Sequence, residues 1–182
     1  TLTELKKSQE NIFNMIKRFK ININENYLKN FSNICKQIKT TYEKSYWDVL
    51  ENELNKENYD FLKKILIEIQ DNILKLRKNN NFKVDFKENY DVNFIIQMIE
   101  NKAFSPENLL SYSNYLVDII VNLEAPIRNE STKNEWNKII INFKASKLEE
   151  FNKNITIILK FILNRINDIN NDIFNMYILN NL

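Results

Sequence analysis

The most restrictive feature of this 182-residue chain is that it contains no glycine. Average usage would give about 13 glycines in a chain of this length. Glycine supplies the positive φ angles of tight hairpin turns and the close backbone approach of phosphate-binding loops. Its absence therefore disfavours β-rich folds and glycine-rich nucleotide sites, and it favours helices joined by polar turns.

Apolar residues recur at helical spacing along most of the chain, and no internal repeat or long linker interrupts them. The sharpest local signal is Ser105-Pro106-Glu107, which combines an N-cap serine with proline at the first helical position. We predict an all-α single domain over residues 1–182, with six or seven amphipathic helices and no sheet. The predicted helices cover about 1–21, 27–54, 58–77, 91–99, 105–124, 131–143 and 145–179, with Asn58 and Asp91 as N-caps and a loop at 79–90.

The composition also limits the chemistry. The chain has no histidine, which excludes serine–histidine and cysteine–histidine nucleophile systems and the usual zinc sites. The one cysteine, Cys35, lies on an apolar stripe, so we predict a buried, unreactive thiol in a reducing, intracellular compartment. We therefore predict that the protein is not an enzyme and has no cofactor, no bound metal and no catalytic residue.

The net charge of +2 argues against nucleic acid as the main partner, because nucleic-acid-binding domains usually carry a stronger basic excess. No apolar run reaches the roughly 18 residues that a membrane span requires. The sequence begins with Thr1 and not with methionine, which leaves open that it is a segment of a longer protein.

One connection stands out from the amphipathic pattern, at Ala125-Pro126. Proline cannot continue a helix and pushes the preceding residue out of the α region. The helix before it should end near Glu124, and the next should begin within residues 129–132. Arg128 lies in this corner, where it could grip a partner's carboxylate or phosphate. We favour a structural role, in which Arg128 donates to the carbonyls left free at the end of that helix, with Asp118 or Glu124 as countercharge and a loss of about 2 kcal/mol or more on removal.

Other residues admit a functional and a structural interpretation. Trp47 and Trp136 could anchor an interface, but each lies on the apolar stripe of its helix, which favours core packing. Asp168 and Asp172 are one helical turn apart and could chelate a cation, but without a third ligand a solvated face is favoured. The basic cluster Lys17-Arg18-Lys20 is favoured as an exposed surface.

Three stretches resemble one family of helical proteins. Tyr46-Trp47-Asp48-Val49-Leu50 resembles an aromatic-Trp-Asp-x-Leu segment of the T-complex protein 11 family, and 62–76 resembles the helix that follows it. The segment 108–130, which ends in Ala-Pro-Ile-Arg-Asn-Glu, resembles that family's Ala-Pro-Val-Arg-Asp-Glu signature. The likeness is clearest over residues 42–136. We take the following as structural or partner-binding candidates: Trp47, Asp48, Pro126, Arg128, Glu130 and Trp136.

The resemblance implies an all-helical, non-enzymatic protein linked to cyclic-AMP and protein kinase A signalling, and in animals to sperm and flagellar function. It thus implies a regulatory adaptor or scaffold with protein partners in a kinase pathway. The alternative is a structural component of a cytoskeletal or flagellar assembly. The expected location is intracellular, either in the cytoplasm or associated with the cytoskeleton or flagellum. Two positions depart from the family pattern, since Asn129 replaces the usual aspartate and Glu124 replaces a frequent cysteine.

Overall fold

The computed structural model describes residues 25–77 and 79–180 and is all-helical over these residues, as predicted. It contains no strand there. Two short 3-10 turns, Pro126–Arg128 and Leu148–Glu150, precede the last two helices. The α-helices are α1 (Glu25–Asn55), α2 (Asp60–Leu76), α3 (Asn80–Asn89), α4 (Val92–Glu100), α5 (Pro106–Leu123), α6 (Asn129–Ala145) and α7 (Phe151–Asn180).

The chain divides into two compact units, one up to Val49 and one from Leu50 onward. Among the described residues, the first unit consists of α1 up to Val49, and the second contains the end of α1 and all later helices. Because one helix runs through the boundary, this division does not test the prediction of one domain, which stays a prediction. None of the helices described is long and apolar enough to cross a membrane.

Helix α7 is central to the core of the second unit and packs against α2, α5 and α6. Its inner face presents isoleucines at helical spacing, and Ile158, Ile162 and Ile166 are completely buried. The facing stripe of α2 includes the fully buried Ile65, Ile69 and Ile73. These stripes are the ones that the apolar periodicity predicts, because a helix with one apolar face is stable only when that face is covered.

Helix starts follow from side chains that satisfy the free N–H groups of the first turn. The Asp91 carboxylate accepts bonds from the backbone N–H groups of Asn93 and Phe94, which confirms it as the N-cap of α4. Ser105 caps α5 in a reciprocal capping box with Asn108. The prediction that Asn58 is an N-cap was wrong, since α2 begins one residue after Tyr59 and the Asn58 amide oxygen accepts from the N–H of Asp60.

The predicted loop at 79–90 was also wrong, because α3 occupies Asn80–Asn89. The Asn79 side chain caps this helix by accepting from the N–H groups of Asn81 and Phe82. Phe82, Phe86 and Tyr90 follow at intervals of four, and their rings stack at centroid distances of 5.7 and 5.6 Å. Aromatic packing along one face therefore outweighs the turn preference of the asparagines.

Two other expectations concern the N-terminal part of the chain. The helix predicted over residues 1–21 and the basic cluster Lys17-Arg18-Lys20 lie outside the described residues. Cys35 was predicted to be buried, but it is only partly buried, on a part of α1 whose neighbouring apolar side chains are exposed.

Candidate functional site

The connection between α5 and α6 has the backbone course that Pro126 predicts. Helix α5 ends at Leu123, and the N–H of Glu124 still donates to the Ile120 carbonyl at 2.9 Å. The residues from Pro126 to Arg128 form one 3-10 turn, closed by a bond of 2.8 Å from the Arg128 N–H to the Ala125 carbonyl. Helix α6 begins directly at Asn129, so the predicted stop near Glu124 and restart at 129–132 are confirmed.

Beneath this turn lies a buried carboxylate. The Glu124 side chain is buried, and its Oε2 accepts a 2.8 Å bond from the hydroxyl of Thr132, which is completely inaccessible to solvent. The side-chain amide of Asn129 is oriented so that its nitrogen faces two acceptors. It donates to Glu124 Oε1 and to the carbonyl of Val121, both at 3.2 Å. A buried carboxylate is tolerated only when such donors surround it. The pair Glu124–Thr132 therefore fixes the start of α6 against the end of α5.

The two positions that depart from the family resemblance, Glu124 and Asn129, are thus in contact with each other. An aspartate at position 129 would place a second carboxylate about where the asparagine amide now lies, 3.2 Å from the Glu124 oxygen. Like charges at that separation repel strongly where solvent is excluded. Asparagine supplies a donor instead, so the two departures compensate each other.

Arg128 reaches from the turn to α7. Its Nε and Nη2 each donate to one carboxylate oxygen of Asp172, both at 2.8 Å. This is the parallel two-bond geometry in which arginine binds carboxylates best. The hydrogen bonds from Arg128, with its charge, lower the pKa of the Asp172 carboxyl below its ordinary value. The prediction that Arg128 binds the free carbonyls of α5 was wrong about its bonded partner, because its side chain extends instead to Asp172, 44 residues further along. Of the two predicted countercharges, Glu124 is engaged in the buried contacts and adds only a weaker, longer-range attraction to Arg128.

The two aspartates of α7 do not form a cation site. Asp172 binds Arg128, whereas Asp168 lies 3.5 Å from Nη1 of Arg165, which also pairs with Glu135 of α6. The side chain of Arg165 is less exposed to solvent than that of Arg128, and its guanidinium lies over the ring of Phe161, 5.4 Å from the ring centroid. Across the residues described, no cluster of three or more histidine, cysteine or acidic side chains could hold a metal ion.

Trp136 is buried, as its position on the apolar stripe predicts. Its indole N–H donates to the amide oxygen of Asn114 on α5 at 2.8 Å, and its ring stacks on Phe161 of α7 at 5.7 Å. One side chain therefore ties α6 to both neighbouring helices. In the other unit, Trp47 is also buried and meets the Tyr46 ring edge-on, whereas Asp48 is exposed.

The outer surface of the corner carries one large apolar side chain beside a charged one. Pro126 and Glu130 are exposed, and the side chain of Ile127 is 90% exposed. Beyond Asp172, α7 carries no charged residue up to its end at Asn180 and presents large exposed apolar side chains. We call this surface the C-terminal apolar face of α7, and it consists of Ile173, Phe174, Met176, Tyr177 and Leu179.

A separate cleft of about 380 Å³ lies where the start of α5 meets the connection between α6 and α7. Its apolar lining includes Leu110 and Phe143, and its charged groups are Glu107, Lys144 and Lys147. Charges of both signs line the cleft, so it has no clear preference for an anionic or a cationic ligand.

Sequence reasoning identified Pro126, Arg128 and Trp136 but missed the contacts that make the corner. The roles of Thr132 and Asn114 depend on packing between helices, for which the sequence carries no local signal. Asp172 was noticed only as a partner of Asp168, because a one-turn spacing is visible in the sequence and a bond across 44 residues is not.

Comparison with known proteins supports the earlier resemblance over a longer stretch. The family model described as T-complex protein 11 matches residues 18–180, which include the whole corner and all of α2 to α7. No solved structure matches the chain. Because the match covers most of the 182 residues, the chain belongs to the T-complex protein 11 family.

Proposed function

We propose that this protein is a non-enzymatic regulatory adaptor that binds a protein partner through its helical surface, in cyclic-AMP and protein kinase A signalling. Family membership supports the general class, and the signalling context comes from what the earlier resemblance implies. The absence of histidine and glycine from the sequence supports the non-enzymatic part, since most common catalytic and nucleotide-binding arrangements need one of them.

The observation that carries the proposal is the C-terminal apolar face of α7. Met176, one turn beyond Asp172 on the same side of the helix, is well exposed, and so is Leu179 another turn on. A helix that is apolar on most sides is normally covered, and contiguous exposed apolar surface marks interaction sites. The Arg128–Asp172 pair lies at the edge of this face and holds the corner to α7.

The role of Arg128 in this proposal is structural. Its Nε and Nη2 both donate to Asp172, so the edge of the guanidinium that best binds a carboxylate is already used within the fold. The contact surface for the partner is therefore apolar, with Ile127 as a second exposed side chain at the corner.

The test compares two single substitutions on α7 in the full chain. Met176→Asp places a charge on the apolar face, whereas Ile157→Asp places the same charge at an exposed apolar position nearer the start of the helix. The probes are purified regulatory and catalytic subunits of protein kinase A, with binding measured by surface plasmon resonance. We expect Met176→Asp to weaken binding by about tenfold or more and Ile157→Asp to leave it unchanged.

Equal binding by both variants would show that this face does not carry the interaction. No binding of either subunit to the wild-type chain would contradict the kinase-pathway part of the proposal. Fractionation of cells that express the tagged protein tests the alternative, because a structural component of the cytoskeleton or flagellum would remain in the detergent-resistant fraction.

A further inference from the structure

Helix α1 presents an exposed apolar face over about three turns. We call it the α1 apolar face, and it consists of four large side chains, Phe31, Ile34, Ile38 and Tyr42. Their intervals of three, four and four residues place them on one side of the helix. All four are exposed, Ile38 by 56%, and the partly buried Cys35 lies among them. Contiguous exposed apolar surface of this kind marks an interaction site.

The same stretch of α1 is basic on its other sides. Residues 29–44 contain four lysines and one acidic residue, Glu43, which lies 3.9 Å from Lys39. The three remaining lysines, Lys29, Lys36 and Lys44, are exposed. Residues 50–182, by contrast, contain 17 basic and 19 acidic residues. The stretch that bears the α1 apolar face therefore has an excess of positive charge that the later helices lack, and such an asymmetry favours an anionic surface as partner.

We propose that residues 29–44 bind the surface of membranes that contain anionic lipids, with the helix lying in the plane of the interface. Helices that bind in this way combine an aliphatic or aromatic face with a lysine-rich polar face. Phe31, Ile34 and Ile38 enter the boundary between headgroups and acyl chains. The Tyr42 ring lies at the level of the headgroups, where tyrosine is favoured. This binding requires no membrane span and is separate from the kinase-pathway role proposed for the face of α7.

The lysines favour lipid over a second copy of the chain as the occupant of the α1 apolar face. Two copies packed through this face would gather two sets of lysines around one contact, and like charges oppose such an association. Phosphatidylserine headgroups attract the same lysines. Lys39 follows Cys35 by one turn, at the edge of the face, so that its alkyl chain can lie along apolar surface while its ammonium group reaches a headgroup.

The experiment measures flotation of the full chain with two kinds of vesicle. One is phosphatidylcholine alone, and the other is phosphatidylcholine and phosphatidylserine in a ratio of about seven to three. We expect binding to the mixed vesicles to be at least about tenfold tighter and to weaken as salt is added, because salt screens the attraction between lysines and headgroups.

Two substitutions separate insertion of the face from charge alone. Ile38→Asp places a carboxylate on the α1 apolar face, whereas Gln37→Asp adds the same charge at the next residue, an exposed position on the polar side. We expect binding to the mixed vesicles to weaken about a hundredfold in Ile38→Asp and only about fivefold in Gln37→Asp. Circular dichroism verifies that both variants keep the helix content of the wild type.

The contribution of the lysines is tested by a double variant, Lys36→Gln with Lys44→Gln. We expect it to bind the mixed vesicles about twentyfold more weakly than the wild type. The matched control is Lys133→Gln with Lys138→Gln, which removes two exposed lysines from α6. We expect the control to bind as the wild type does, and equal losses in both double variants would contradict the proposal.

A second measurement needs no substitution, because Cys35 is the only cysteine in the sequence. An environment-sensitive nitrobenzoxadiazole label on Cys35 should shift its emission to the blue on binding mixed vesicles and be quenched by lipids brominated on their acyl chains. Failure of the wild-type chain to bind mixed vesicles would overturn the proposal, and so would equal weakening by Ile38→Asp and Gln37→Asp. A dimer mass by light scattering that Ile38→Asp reduces to a monomer would assign the face to a second copy instead.

Discussion

The two connections that flank α6 have similar backbone conformations but are stabilised by different side-chain contacts. Each ends a helix and passes through a 3-10 turn into the next helix. The connection before α6 is built on the buried Glu124 and on an arginine that reaches α7. The connection after α6 relies on Ser146, whose hydroxyl donates to the Phe143 carbonyl at 2.7 Å and accepts from the Asn154 amide at 2.7 Å.

The difference shows where a helix corner depends on tertiary structure. The two partners of Ser146 lie three and eight residues away from it, and both bonds are only partly buried. The Glu124 connection leaves a carboxylate in the core, where the loss of a donor is costly because water cannot replace it. Substitutions at the first corner should therefore destabilise the protein more than equivalent ones at the second.

The largest effect is expected from Asn129→Asp, which removes a donor to Glu124 and brings a second carboxylate against it. We expect the free energy of unfolding to fall by about 2–3 kcal/mol at neutral pH. The control is Asn134→Asp, at an exposed position of the same helix. Urea denaturation of both variants measures the difference, and equal midpoints would mean that residue 129 does not contact the buried carboxylate.

Thr132→Val tests the same carboxylate from the other side. Valine keeps the shape of threonine but removes the hydroxyl that bonds to Glu124, so we expect a loss of about 1–2 kcal/mol. Thr156→Val is the matched control, because the hydroxyl of buried Thr156 bonds only to a carbonyl of its own helix. If the control loses as much stability as Thr132→Val, the bond to Glu124 contributes no more to stability than an ordinary buried hydroxyl bond.

Arg128→Ala should lower the free energy of unfolding by a smaller amount, about 1 kcal/mol. The Arg128 and Asp172 side chains are 36% and 28% exposed, so solvent weakens their attraction. That loss is at most half of the one expected from the sequence, where the arginine was assigned to a partly buried network. Arg128→Lys should recover only part, since lysine lacks the planar fork. Lys102→Ala is the control, because it removes the more exposed ion pair with Glu57. We expect no measurable change in its free energy of unfolding by chemical denaturation.

The contribution of Arg128 should also depend on pH. The pKa of Asp172 is lowered in the folded protein by the hydrogen bonds from Arg128. A lowered carboxyl pKa stabilises the fold above the ordinary aspartate range and loses that stabilisation as pH falls through the lowered value. The stability difference between wild type and Arg128→Ala should therefore be full at pH 7 and shrink below about pH 4. A difference that stays constant down to pH 2 would show that the ion pair is not its source.

Ser146→Ala is expected to have the smallest effect of the four sites, about 0.5–1 kcal/mol. It removes one capping hydroxyl at a partly exposed position, where water can replace it. A loss larger than that of Thr132→Val in the same denaturation series would reverse the proposed order of the two corners.

The helices of this chain were largely predictable, because their signals are local. The cap at Ser105, the break at Pro126 and the apolar stripe of α7 each depend on neighbouring residues, and the structure confirms all three. Helix α3 was missed because Asn79-Asn80-Asn81 was interpreted as a loop, although the four-residue spacing of Phe82, Phe86 and Tyr90 was a visible helical signal.

The contacts of the corner were not predictable in the same way. The sequence marks Arg128 as unusual, but its partner is chosen by the packing of α5 and α6 against α7. Glu124 was available as a nearby acid, and only the fold shows that Thr132 and Asn129 already occupy it.

The central claim is that Arg128 acts within the fold, by joining the corner to α7 through Asp172. A double-mutant cycle with Arg128→Ala, Asp172→Ala and the combined variant measures that link directly by chemical denaturation. We predict a coupling energy of about 1 kcal/mol at pH 7. The stability of the double variant should then lie within a few tenths of a kcal/mol of that of Arg128→Ala alone. Strictly additive losses, with no coupling, would contradict the claim and return Arg128 to the residues available for a partner.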